Sequence, residues 1–136
     1  MARIVGIDYG GKRTGIAATD SLQIIVSPIT TVETKNLIIY LCDYTSKEVV
    51  EKIVIGLPTH KDGNYTNLKQ NIDKFVADFS KIKPEIPFDF QDESFTSVEA
   101  KAVIFQSGVN KKKRQDKSLV DKISAVLILQ KYLNHI

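Results

Sequence analysis

The order of apolar and polar positions predicts an alternation of strands and helices. Short β-branched runs bounded by turn residues predict strands, and apolar residues that recur every three or four positions predict amphipathic helices. Three strands come first, and helices and strands then alternate. The predicted strands are Arg3–Asp8, Arg13–Thr19, Ile24–Val32, Ile53–Gly56 and Pro87–Gln91, and the predicted helices are Lys35 to about Lys47 after a Thr34 N-cap, the stripe Leu68–Phe79, Thr96–Ser107, and a last helix after a Ser118 N-cap with Leu119, Ile123, Val126, Leu127 and Leu133 towards the sheet.

This order predicts an α/β fold with a mixed sheet covered by helices. An antiparallel, hairpin-like start, turning at Tyr9-Gly10-Gly11, is followed by βα units. Pro28 lacks an N–H group, which indicates that the third strand is an edge strand or carries a bulge. Sites in such folds gather at the carboxyl ends of parallel strands. Asp8 ends the first predicted strand and Asp92-Glu93 follow the last, so these acids are candidates for chemistry.

Composition narrows the class of protein without naming a function. The 136 residues are 43% hydrophobic and 26% charged, which is the range of a globular domain and excludes disordered and collagen-like chains. We therefore expect a single domain over residues 1–136. Cys42 is the only cysteine, so an internal disulfide is excluded. No stretch approaches the apolar length of a membrane span, and we expect a cytoplasmic protein without a membrane partner.

Four acidic residues are candidate metal ligands, and each has a simpler interpretation. Asp8, on an apolar strand, needs a partner: either Arg13 across the turn or a metal ion. Asp92 and Glu93 point to opposite sides of an extended segment, so Glu93 is favoured as the ligand and Asp92 is the alternate; both acids could instead be solvated near a helix N-terminus. Asp121 either returns to the N-cap amide in a capping box or points inward. Three converging carboxylates would require Mg²⁺ or Mn²⁺.

The positive charge is concentrated near the last helix. The segment Asn110–Lys122 carries six cations and two anions, a net +4 within a chain total of +3. Such runs are often only solvated, but beside a metal site they favour contacts with nucleic-acid phosphates. The glycines at Gly10-Gly11 either serve the turn or let backbone amides approach a phosphate, although no Walker A motif is present. The candidate nucleic-acid contacts are Lys12, Arg13, Lys111, Lys112, Lys113 and Arg114.

Taken together, these motifs resemble the YqgF family, also called RuvX, described as pre-16S rRNA nucleases and earlier as Holliday junction resolvases. Four blocks match in order across nearly the whole chain, and their order and spacing make the resemblance specific. The blocks are Gly6-Ile7-Asp8-Tyr9-Gly10 with Arg13-Thr14-Gly15-Ile16-Ala17, then Gly56-Leu57-Pro58 with Asp62-Gly63, then Asp92-Glu93 with Thr96-Ser97-Val98-Glu99-Ala100, and Asp121 with Ser124-Ala125-Val126-Leu127-Ile128-Leu129.

The resemblance implies an RNase H-like fold, with a five-stranded mixed sheet whose first three strands are antiparallel and which is flanked by helices. It also implies a metal-dependent nuclease site in which Asp8, Glu93 and Asp121 hold two Mg²⁺ or Mn²⁺ ions and Arg13 contacts a phosphate. The family usually has Arg after the Asp-Glu pair, whereas this chain has Ser94. That difference removes a cation near the scissile phosphate and bears on the grip or orientation of the substrate.

Three functions are compatible with these motifs. The leading one is a nuclease that trims the 5′ end of precursor 16S rRNA in ribosome biogenesis, with precursor rRNA favoured over branched DNA and ribosomal particles as further partners. The second is a Holliday junction resolvase, which normally requires a symmetric dimer; the sequence leaves monomer and homodimer both open. The third is a catalytically weak RNA-binding ribosome-assembly factor. The main reason to consider it is Ser94, which stands where the family usually has Arg.

Overall fold

A computed structural model describes residues 2–57, 63–92, 100, 102–103 and 117–135. Its centre is a five-stranded sheet with the order β3-β2-β1-β4-β5. The strands are β1 Arg3–Asp8, β2 Arg13–Thr19, β3 Val26–Glu33, β4 Val50–Leu57 and β5 Phe88–Asp92, and the long described helices are α1 Leu37–Lys47, α2 Gly63–Ile82 and α3 Lys117–Tyr132.

The strand directions confirm the mixed sheet expected from the sequence. β1 pairs antiparallel with β2, and β2 pairs antiparallel with β3. β4 runs parallel to β1, and β5 runs parallel to β4. The carboxyl ends of the three parallel strands therefore lie at one edge of the sheet, where Asp8 ends β1 and Asp92 ends β5.

Helices cover both faces of the sheet, and alternation along β1 shows which residues face which helix. Val5 and Ile7 belong to a buried cluster with residues of α1 and α2. Ile4 belongs to a second cluster with α3, and a Cβ added at Gly6 would lie 2.4 Å from Leu129 Cγ. Because side chains alternate along a strand, Asp8 shares the α3 face with Ile4 and Gly6.

The third strand begins later than predicted, at Val26 rather than Ile24. The Asp20 carboxylate accepts hydrogen bonds from the backbone N–H groups of Ile24 and Ile25, at 2.7 and 3.1 Å, and holds both residues in the turn. These two bonds also lower the pKa of Asp20. The edge position of β3 is confirmed, and so is the bulge, because the pairing with β2 shifts next to Pro28.

Both predicted N-caps are wrong. Thr34 opens a 3-10 turn, and its hydroxyl donates to the Gly10 carbonyl at 2.6 Å instead of capping α1, which begins at Leu37. α3 begins at Lys117, so Ser118 lies within its first turn. Gly63 is the first described residue of α2.

Other features of the helices were predicted in part. Asp62 and most of the predicted helix Thr96–Ser107 lie outside the described residues, although positions 100 and 102–103 are helical. The residues of α3 buried against the sheet include Ala125, Ile128 and Leu129, whereas the predicted Leu119 and Ile123 are only partly buried. In the part of the chain that the structure describes, no helix combines the length and apolar character needed to span a membrane.

Candidate active site

The carboxyl end of β1 and the first turns of α3 meet at Gly15 of β2. Asp8 is the register partner of Gly15 in the antiparallel pair. A Cβ at Gly15 would lie 2.0 Å from the carbonyl oxygen of Asp121 and 2.9 Å from the backbone nitrogen of Lys122. The backbone of α3 therefore rests directly on the backbone of β2. This contact places Asp8 and Asp121 on either side of the same glycine.

Small residues on both elements allow this close approach. Ala17 on β2 and Ala125 on α3 are completely buried in one cluster. Ser124 is also completely buried, and its hydroxyl has no hydrogen-bond partner among the described residues. A larger side chain at these positions would push the helix off the sheet, since protein interiors have few voids. Ser124 and Ala125 are small enough to let α3 approach the sheet closely.

Arg13 connects the strand to the helix by a charged hydrogen bond. Its Nε donates to Asp121 Oδ2 at 3.0 Å, with the two side chains 42% and 23% exposed. The carboxylate of Asp121 thus contacts a cation rather than serving only the helix N-terminus as in a capping box. A half-exposed ion pair of this kind contributes little to stability, so the guanidinium can exchange for another partner at low cost.

The turn just before Arg13 is anchored by Thr34, the residue that follows β3. The Thr34 N–H donates to the Lys12 carbonyl at 2.9 Å, and the Thr34 hydroxyl donates to the Gly10 carbonyl. A Cβ at Gly10 would lie 2.3 Å from the Arg13 carbonyl oxygen, so the turn requires glycine there. Lys12 in this turn and Arg13 at the start of β2 are both exposed. They lie close to Asp8 and Asp121, which we call the acidic pair.

The structure places Asp92 on the other face of the sheet. Asp92 pairs with Leu57 of β4, and Leu57 packs against the cluster beneath α1 and α2. Directly paired residues of neighbouring strands share a face, and β5 lies two strand spacings, about 10 Å, from β1. Asp92 is therefore not brought to the face shared by Asp8 and Asp121. The remaining predicted site residues, Glu93, Lys111, Lys112, Lys113 and Arg114, and also Ser94, lie outside the described residues.

The two carboxylates suit a hard divalent cation. Within residues 2–57, 63–92, 100, 102–103 and 117–135, no three acidic, His or Cys side chains form a group that could hold a metal ion. Asp8 and Asp121 nevertheless come from two rigid elements, and one cation, the Arg13 guanidinium, already contacts Asp121. Mg²⁺ is commonly bound by only one or two protein carboxylates together with waters and substrate phosphates. The carboxylates of Asp8 and Asp121 fit that pattern.

Two functional features were missed by sequence reasoning. The ion pair between Arg13 and Asp121 joins residues 108 positions apart, so no local spacing indicated it. The close contact of Gly15 with α3 was also not predicted from the sequence. The signal was the small pair Gly15 and Ala17, two positions apart on one face of β2, opposite the small pair on α3.

A family model described as "RuvX: Holliday junction resolvase" matches residues 2–135. The chain belongs to the RuvX family. A protein of Bacteroides thetaiotaomicron named "Putative pre-16S rRNA nuclease" is 49% identical over 133 residues, which is 98% of this chain and 96% of the relative. Proteins of the same name from Porphyromonas gingivalis and Flavobacterium psychrophilum are 46% and 47% identical, with 99% and 98% of this chain and 98% and 97% of each relative covered.

Solved structures agree with the fold of this RuvX-family chain. Thermus thermophilus RuvC in complex with a Holliday junction substrate has a TM-score of 0.61 at 12% identity, with 98% of this chain and 96% of RuvC covered. The fowlpox virus resolvase in complex with Holliday junction DNA has a TM-score of 0.58 at 14% identity, with 98% and 97% covered. The five-stranded mixed sheet is therefore RNase H-like, as the sequence motifs implied.

Proposed function

We propose that this chain is a metal-dependent nuclease that processes the 5′ end of precursor 16S rRNA, with Asp8, Glu93 and Asp121 as the ligands of two Mg²⁺ or Mn²⁺ ions. The observation that carries the proposal is the meeting of Asp8 and Asp121 across Gly15, beside the Arg13 guanidinium. The family and the names of the relatives support it. A cytoplasmic location is consistent with this role.

In this proposal the acidic residues hold the cations and the basic residues bind the substrate. The carboxylates of Asp8 and Asp121 hold the cations in a fixed place because a strand and a helix position them. Mg²⁺ or Mn²⁺ held by these carboxylates would supply the Lewis-acid chemistry that activates a water for in-line attack on phosphorus and stabilises the leaving oxygen. Arg13 and Lys12, on the anchored turn, bind phosphate oxygens of the substrate. Lys111, Lys112, Lys113 and Arg114 add sequence-independent affinity, which predicts that binding weakens with salt.

The test is cleavage of a precursor 16S rRNA fragment by purified protein in Mg²⁺ or Mn²⁺. Asp8→Asn and Asp121→Asn should each abolish cleavage without unfolding the protein, because both acids lie at the rim of the core. Asp43→Asn is the matched control, because it makes the same change at an exposed acid of α1 that pairs with Lys47. Cleavage by either site variant at the wild-type rate, or equal loss in the control, would contradict the assignment.

A Holliday junction resolvase is the second candidate, favoured by the description of the family. The same acids would serve both reactions, so the substrate separates them. Wild-type protein that cuts a four-way DNA junction and leaves precursor rRNA intact would replace the rRNA assignment. Binding of precursor rRNA without cleavage of any nucleic acid in Mg²⁺ or Mn²⁺ would favour the third possibility, a ribosome-assembly factor.

A further inference from the structure

A hollow opens at the end of β1, on the face of the sheet away from Asp121. It has a volume of about 450 Å³ and lies between the β1–β2 turn, the 3-10 turn before α1, and α2. We call it the Tyr9 groove; the residues that matter here are Tyr9, Lys35, Asn71, Lys74, Phe75 and Asp78. Its volume is in the range of sites that bind small organic groups.

The groove combines an aromatic wall with amide and cationic groups. Tyr9 is partly buried and packs on Phe75, with ring centroids 5.8 Å apart. Asn71 and Lys74 lie on the exposed side of α2 and bring an amide donor and acceptor and a positive charge to the rim. Aromatic rings with neighbouring cations are the elements that bind unpaired bases.

The charges of the groove suit a polyanion. Lys74 makes no ion pair with a described residue, and Asp78 is the acid in the lining. Lys35 pairs with Glu33 at 3.2 Å, but both side chains are more than 60% exposed, so that pair is weak and exchangeable. The groove thus offers two lysines to phosphates against one acid.

A neighbouring hollow links this groove to the acidic pair. It has a volume of about 530 Å³, is lined by Lys12, Arg13 and Glu33, and shares Gly11 and Lys35 with the Tyr9 groove. The shared residues make the two hollows one path around the β1–β2 turn. That path runs from Arg13, which contacts Asp121, to Lys74 on α2.

Two consecutive residues at the end of β1 lie on opposite faces of the sheet. Asp8 lies on the α3 face, and Tyr9, the next residue, lies in the groove on the opposite face. Because the Tyr9 groove and the hollow beside Arg13 share Gly11 and Lys35, an RNA strand that follows the path can place a base at Tyr9 and a neighbouring phosphate near Arg13. A base-paired duplex is too wide to enter a hollow of about 450 Å³; an unstacked base is not.

From these observations we infer that the Tyr9 groove binds one unpaired nucleotide of the RNA next to the bond that is cut, with the base against Tyr9 and its phosphate near Lys35 and Lys74. The inference rests on the proposed nuclease function and adds a requirement: the substrate must be single-stranded beside the scissile bond. Recognition of unstacked bases on aromatic side chains is the usual route to RNA specificity.

The test is binding of a fluorescein-labelled single-stranded RNA of about eight nucleotides, and of the same sequence as a duplex, measured by anisotropy in EDTA so that no cleavage occurs. Tyr9→Leu keeps apolar packing on Phe75 but removes the ring. It should weaken single-strand binding by about fivefold or more, the lower end of base–aromatic stacking, and leave duplex binding unchanged. Asn71→Ala, at an exposed position that cannot unfold the core, should also weaken single-strand binding selectively.

Two further measurements sharpen the test. Lys74→Ala should reduce the salt dependence of single-strand binding by about 0.7 in the log–log slope, whereas Lys81→Ala, an exposed lysine of α2 outside the groove, should change affinity less than twofold. A 2-aminopurine base in the RNA should be quenched by the wild type and not by Tyr9→Leu. Unchanged single-strand affinity and quenching in Tyr9→Leu would overturn the groove even if precursor rRNA is still cleaved. If Tyr9→Leu loses single-strand binding as expected but Asp8→Asn still cleaves precursor rRNA at the wild-type rate, the groove stands and the nuclease site is overturned.

Discussion

Gly15→Ala tests whether the backbone contact between β2 and α3 sets the geometry of the candidate active site. The added Cβ would lie 2.0 Å from the Asp121 carbonyl oxygen and 2.3 Å from its carbonyl carbon. Both atoms belong to the backbone of a helix, so no change of rotamer relieves the clash. The helix and the strand must separate by about 1 Å before the contact reaches even the 3.0 Å that marks the limit for real Cβ atoms.

That separation has a cost in stability. Overpacking a close-packed interior destabilises a protein by about 1–3 kcal/mol, and we expect the free energy of unfolding in urea to fall by that amount in Gly15→Ala. Gly11→Ala is the matched control for unfolding, because nothing lies within 4 Å of its added Cβ. That variant should be neutral or more stable by up to about 1 kcal/mol, since alanine restricts the unfolded chain.

The displacement also moves Asp121 relative to Asp8. A shift of about 1 Å in a catalytic group can lower the rate by about 10²-fold, so cleavage of precursor rRNA by folded Gly15→Ala should fall by that order. Gly6→Ala separates the two effects, because its Cβ would clash with the Leu129 side chain two turns along α3. It should lose similar stability and much less activity. Wild-type stability and cleavage in Gly15→Ala would refute the role of this contact.

Three smaller predictions test other contacts of α3. Arg13→Ala should raise the affinity of the protein for Mn²⁺ by about two- to fivefold in calorimetric titration, because it removes the cation that competes for Asp121; weaker binding would contradict the exchange of partners. Ser124→Ala should raise the free energy of unfolding by up to about 1 kcal/mol, since the buried hydroxyl has no partner among the described residues. A fall in the free energy of unfolding would contradict this prediction. Tyr132 donates a hydrogen bond at 2.5 Å to Asp89, and this bond is the largest cause that lowers the pKa of Asp89 below 3.8. A lowered pKa stabilises the fold above the unfolded value, so Tyr132→Phe should be less stable than wild type at pH 7, and urea titrations should show the difference fading as pH falls below about 3.8; a constant difference would refute the cause.

The sequence predicted the sheet well because its strands are short apolar runs bounded by clear turn residues. Pro28 also indicated the edge strand and its bulge correctly. The start of β3 was wrong because Ile24 and Ile25 are β-branched, as strand residues often are, yet the Asp20 side chain holds their N–H groups in a turn. Local propensity could not anticipate that bond.

The start of α1 was wrong for a related reason, because the expected capping residue has another partner. Thr34 has the residue type of an N-cap, but its hydroxyl donates to the Gly10 carbonyl of a distant turn. The candidate site was also predicted only in part. Asp8 and Asp121 were identified from local pattern, whereas the bond from Arg13 to Asp121 depends on how far α3 lies along the sheet, which only packing decides.

The position of Asp121 is a property of the whole helix rather than of its first turn. Near its start, α3 touches β2 at Gly15, and in its middle Leu129 fits against Gly6 of β1. Near its end, Tyr132 accepts a hydrogen bond from Lys52 of β4 at 3.1 Å and donates one to Asp89 of β5. Contacts with four strands fix both the position of α3 along the sheet and its tilt. The carboxylate of Asp121 is therefore positioned by packed secondary structure rather than by a loop. The same packing sets its place relative to Asp8 at the end of β1, whether the Arg13 guanidinium stays bound to Asp121 or exchanges for another partner.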